Sequence, residues 1–79
     1  MRTAHKEALE RQLVIAVINL EDTRQASEML SATLETISAI PGVGATDVSR
    51  VRRAYETSRS NVIAQEERVN TVRAALARS

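Results

Sequence analysis

The apolar positions keep a coiled-coil rhythm through two long stretches that are separated by a single break. Leu9, Leu13, Ala16, Leu20, Thr23, Ser27, Leu30, Leu34 and Ile37 advance in unbroken steps of four and three. That spacing holds one stripe of a helix against a partner. Val48, Val51, Tyr55, Ser58, Val62, Gln65, Val69, Val72 and Leu76 do the same further along. Between them lies Ile40-Pro41-Gly42-Val43-Gly44. Proline disfavours helical geometry in the residue before it, and glycine supplies backbone angles that a helix cannot continue. The pattern predicts an all-α chain forming one domain over 1–79, with a helix at about 3–39, a turn at 40–45 and a helix at about 46–78. Thr46 and Asp47 are the expected caps of the second helix, Asp47 also suiting the positive end of its dipole.

Folding back at the turn pairs the two stripes antiparallel, with facing residue numbers that sum to 85: Ile37 with Val48, Leu30 with Tyr55, Ser27 with Ser58, Leu9 with Leu76. Shifting the register by one heptad would leave apolar ends unpaired and strain the turn. Thr23, Ser27, Ser58 and Gln65 interrupt the seam at its middle. A polar layer of this kind weakens a coiled coil and fixes its register.

The first helix has more apolar surface than one seam can use. Ala4, Ala8, Ile15, Ile18 and Met29 fall on the face away from the seam, and with Val14 and Val17 they make residues 13–18 apolar all round. A lone hairpin cannot bury such a segment. The expected cover is a second copy of the chain, giving a dimeric four-helix bundle with a two-fold axis near Ile15 and Ile18. Ala8, Val14, Ile15, Val17, Ile18 and Met29 are the candidate interface to that copy or to another protein. The β-branched run Val14, Ile15, Val17, Ile18 also suits a strand, but no second strand-like segment exists to pair with it.

Composition sharpens this picture. The chain has 79 residues and Cys 0, so no disulfide can staple it. Chains this short usually rely on staples, metals or self-association. With His5 as the one histidine and no cysteine, the usual zinc ligands and thiol or Ser/His nucleophiles are missing, and no cofactor is expected. A net charge of +1 excludes a protein whose overall field drives it onto nucleic acid or an anionic membrane. The charge is unevenly spread: residues 1–40 carry four basic and six acidic side chains, residues 41–79 seven basic and four acidic. The run at 13–18 is too short, and too closely preceded by Glu7 and Glu10, for a signal-peptide core or a membrane span. No membrane partner and a cytoplasmic location are the expectations.

Few residues offer chemistry. His5 lies in the first turns of a helix, where it reads as solvated. Tyr55 occupies a seam position opposite Leu30 and reads as core. Adjacent acids such as Glu21 and Asp22, or Glu66 and Glu67, diverge around a helix and form no dyad. Glu7 with Arg11 and Arg52 with Glu56 have the spacing of surface ion pairs, and Glu35 stands where it could neutralise Arg50 across the hairpin end.

One segment stands apart. In Ile40-Pro41-Gly42-Val43-Gly44-Ala45-Thr46-Asp47-Val48-Ser49-Arg50-Val51, an apolar residue and Pro precede Gly-apolar-Gly, and Val48 and Val51 stand four and seven places beyond the second glycine. This resembles the helix-hairpin-helix motif of sequence-independent DNA-binding proteins, whose two helices are short and splayed. The resemblance implies that N–H groups of the Gly42-Val43-Gly44 turn and of the following helix start hold a DNA phosphate. Arg50, Arg52 and Arg53 sit in the first turns of that helix, where positive charge opposes the dipole and an anionic partner would explain it.

Taken together, the sequence leads to the expectation of a helical oligomer that works by binding and not by turnover. Its partners would be itself and another protein, in the role of an adaptor, chaperone-like subunit or inhibitor of the kind phages and mobile elements carry. Sequence-independent nucleic-acid binding through the glycine turn is the alternative.

Overall fold

The computed structural model describes residues 2–79, with side chains from Ala4 onward. Two helices account for nearly all of it. α1 spans Arg2–Ala39 and α2 spans Ala45–Arg78, of 38 and 34 residues. They lie side by side in a rod with extents of 63 × 14 × 13 Å, and all tertiary contact is between them. Among the described residues there is no strand, and the β-branched run at 13–18 is helical. Tertiary packing along α1 outweighs the weak strand preference of its valines and isoleucines.

The turn explains its own composition. α1 ends as the Ile40 N–H reaches back to the Ile37 carbonyl at 3.3 Å, one residue before Pro41. Gly42 then takes φ +85, a left-handed conformation that costs an L side chain and costs glycine nothing. Gly44, with φ −67 and ψ 144, is the N-cap of α2. Its carbonyl accepts the N–H groups of Asp47 and Val48 at 3.1 and 3.2 Å. This corrects the expected caps: the helix starts one residue earlier than the sequence implies, so Thr46 and Asp47 lie inside its first turn and no side chain caps it. Asp47 still serves the dipole, its carboxylate turned back toward Gly44.

The seam is the one the periodicity predicts. Every position of both four-three series is buried or half-buried. Ala16, Leu20 and Val69 form the core cluster, with Leu13 and Val62 packed against it. Ala16 lying against Val69 is the arrangement that a sum of 85 requires. The turn is consistent with this register, because the helix ends Ala39 and Ala45 that flank it sum to 84, within one of that value.

Burial is uneven along this seam. Leu9, Ala16, Leu20, Val69 and Val72 make up the buried apolar set, and all lie toward the open end of the hairpin. Near the turn, Leu30, Leu34, Ile37, Val48, Val51 and Tyr55 are only half-buried. The middle layer is small instead of interlinked. Ser27 and Ser58 are buried, but the Thr23 hydroxyl donates to the Asn19 carbonyl and the Ser58 hydroxyl to the Tyr55 carbonyl, both at 2.6 Å and both within one helix. Gln65 Oε1 is buried with no hydrogen-bond partner.

Candidate interaction face

A helix that packs through one stripe presents the opposite stripe to solvent, and on α1 that outer stripe is aliphatic. Val14, Ile15, Val17 and Ile18 are 58, 56, 39 and 53% exposed. They occupy slightly more than one turn, directly behind Leu13, Ala16 and Leu20. The tightest part of the seam and the most apolar part of the surface are thus two sides of one segment. Arg11, Val14 and Ile15, with Glu7 and Glu10, line a shallow hollow of ≈ 500 Å³ at its N-terminal edge.

The other two candidate residues stand apart from this patch. Ala8 is half-buried and belongs partly to the seam. Met29 is 70% exposed but lies 11 residues beyond Ile18, about 16 Å along the axis, with Asp22 and Gln25 on the stripe between them. The continuous outer stripe read from the sequence is therefore a compact four-residue patch and a separate methionine. Ile63, 55% exposed on α2, is an exposed aliphatic that the periodicity argument passed over, although its place one residue off the α2 seam could have shown it.

At the other end, the phosphate candidates divide. Arg50 and Arg53 line a hollow of ≈ 430 Å³ with Ala45, Thr46 and Ser49. Arg52 projects from a different side of α2, and neither glycine belongs to the lining. Only Gly42 needs glycine for its backbone; an added Cβ on Gly44 would meet nothing nearer than the Asp47 carboxylate at 3.9 Å. The helices joined by this turn are long and lie alongside each other, unlike the short, splayed pair of the helix-hairpin-helix motif.

The expected ion pairs do not close. Among the described residues, none of Glu7–Arg11, Arg52–Glu56 and Glu35–Arg50 comes within 4.0 Å; the pair that does is Arg24 Nη2 with Glu66 Oε2, at 3.8 Å. Exposed long side chains gain too little from such contacts to offset the entropy of holding them. Arg24 and Glu66 flank the seam beside Leu20 and Val69 and bridge the helices, which residue spacing within one helix could not reveal. They lie in a groove of ≈ 320 Å³ with Val17, Glu21, Asn70 and Arg73.

Among the described residues no group of three His, Asp or Glu side chains is placed to hold a metal ion. No described helix is long and apolar enough to cross a membrane. Comparison with protein-family models, with curated proteins and with solved structures finds no match.

Proposed function

We propose that this protein is a non-enzymatic interaction module that acts as a helical oligomer, in the role of an adaptor, chaperone-like subunit or inhibitor. One observation carries the reading: the aliphatic patch Val14, Ile15, Val17 and Ile18 stays 39–58% exposed after the seam has taken every apolar position it can use. Clustered exposed aliphatics on a small protein mark a surface that another protein covers, and an outward helix face fits helix-to-helix docking. A cytoplasmic location belongs to the same reading, the apolar run at 13–18 being too short and too closely preceded by Glu7 and Glu10 for a signal-peptide core.

Exchanging Ile15 and Ile18 for Glu tests it. Both side chains are outside the seam, so circular dichroism should report unchanged helicity while sedimentation shows a fall in mass from oligomer to single chain. A variant that sediments like the unaltered protein removes this face from the interface.

A second reading draws on the hollow at the start of α2. There two arginines and two hydroxyl-bearing side chains line one space beside a helix start, a combination that suits a phosphate of a nucleic-acid backbone. Binding of duplex DNA that weakens steeply between ~50 and ~200 mM salt, and is lost in Arg50→Glu/Arg53→Glu, would support it. Absence of binding at the lower salt would remove it.

A further inference from the structure

Charges of both signs flank the aliphatic patch along α1. Arg11 lies on its N-terminal side with Glu7 and Glu10 beside it, and Glu21 and Asp22 lie on its C-terminal side; all five are exposed. None of them takes part in an ion pair among the described residues. The midpoint between Arg11 and Asp22 is also the midpoint between Ile15 and Ile18. An apolar centre with opposite charges at equal distances on either side is self-complementary under a two-fold rotation, the symmetry of most homodimers.

We propose that α1 packs antiparallel on α1 of a second copy, about a two-fold axis between Ile15 and Ile18, with Arg11 of each copy set against Asp22 and Glu21 of the other. This rests on the proposed role of the patch and adds its occupant and its polarity. Facing residue numbers then sum to 33: Ile15 meets Ile18 and Arg11 meets Asp22. Glu7 and Glu10 stand level with Ala26 and Thr23, so no level across 5–28 sets two like charges side by side. The hollow lined by Glu7, Glu10, Arg11, Val14 and Ile15 is where Ile18 of the second copy is seated. Parallel pairing in register would instead stack Arg11 on Arg11 and Asp22 on Asp22, an arrangement that like-charge repulsion disfavours.

The charges permit a test that only antiparallel pairing passes. Arg11→Glu alone and Glu21→Arg/Asp22→Arg alone each bring like charges together at both ends of the interface. Each should weaken self-association roughly tenfold or more by sedimentation, with helicity by circular dichroism unchanged. An equimolar mixture of the two restores opposite charges at both ends and should re-form a mixed dimer about as tight as the original.

Because the chain has Cys 0, a second measurement is clean. Arg11→Cys and Asp22→Cys should form a disulfide with each other when mixed and oxidised. Neither should do so with itself, since its own counterpart lies about 16 Å away along the axis. Cross-linking of each variant with itself, or a mixture of the charge variants that stays dissociated, overturns antiparallel pairing. A chain that sediments as a monomer at all concentrations overturns it too, leaving the patch to a different protein. If Ile15→Glu/Ile18→Glu leaves the dimer intact, the role of the patch itself falls, and this inference with it. If that variant dissociates but the mixtures fail, only the polarity is wrong.

Discussion

The two halves of the rod are built from the same four-three spacing and pack differently. Toward the open end, Leu9, Ala16, Leu20, Val69 and Val72 are within 8% of complete burial. Toward the turn, the seam positions are larger on average, yet each is only half-buried. The difference starts at Ala16, which is 0% exposed: a methyl group at the helix contact lets the backbones approach, so Leu20 and Val69 close around it. Near the turn no such small residue stands in the seam, and the bulkier Leu30 and Tyr55 are only half-buried. A hairpin held covalently at one end is thus packed most tightly at the other. The outer aliphatic patch sits behind that tight half, so docking there would be onto the more deeply packed part of α1.

This contrast can be broken most strongly by truncating one leucine in each half. Leu20→Ala should cost about 3 kcal/mol, within the range for a buried leucine, and Leu34→Ala roughly 1 kcal/mol because part of its side chain is already in water. Urea melts at one fixed protein concentration measure both, the concentration mattering because assembly shifts the apparent stability. Equal losses would mean that the halves are energetically alike.

The contrast should be sharpened by repairing the flaw in the tight half. Gln65 faces Leu20 with its amide oxygen buried and unpartnered, which carries a desolvation cost. Gln65→Leu should raise stability by about 1 kcal/mol, read as a higher urea midpoint with unchanged slope. A lower midpoint would show that the glutamine has a partner in solution.

The smallest effect is expected at the interhelix ion pair. Arg24 and Glu66 have side chains 50 and 47% exposed, so the pair is screened and Arg24→Ala should change stability by less than about 0.5 kcal/mol. A larger loss would make this flank, and not the apolar seam alone, a source of the tight packing.

Much of the architecture was legible in the residues. Leu9 to Ile37 and Val48 to Leu76 needed only the helical repeat to be placed on one seam, and Pro41 with Gly42 needed only backbone sterics to be placed at the turn. The candidate sites were less legible. That Arg50 and Arg53 share a hollow while Arg52 does not, and that Met29 stands apart from Ile18, depend on angle and distance around a helix. A grouping by composition blurs both. The failed pairs Glu7–Arg11 and Arg52–Glu56 show the same limit: a spacing of four permits an ion pair, but on an exposed face water competes for it.

The sequence by itself determined two helices, their shared face, their fold-back point and an apolar excess on α1, because each follows from local sterics or from a repeat that one helix carries alone. The tertiary structure decided how deeply each level of the seam is buried, which glycine is conformationally required, which charges meet, and how much of Val14, Ile15, Val17 and Ile18 remains in water. Those quantities depend on two surfaces meeting, and the volume of Ala16 or the bulk of Tyr55 acquires its effect only against the residue on the other helix.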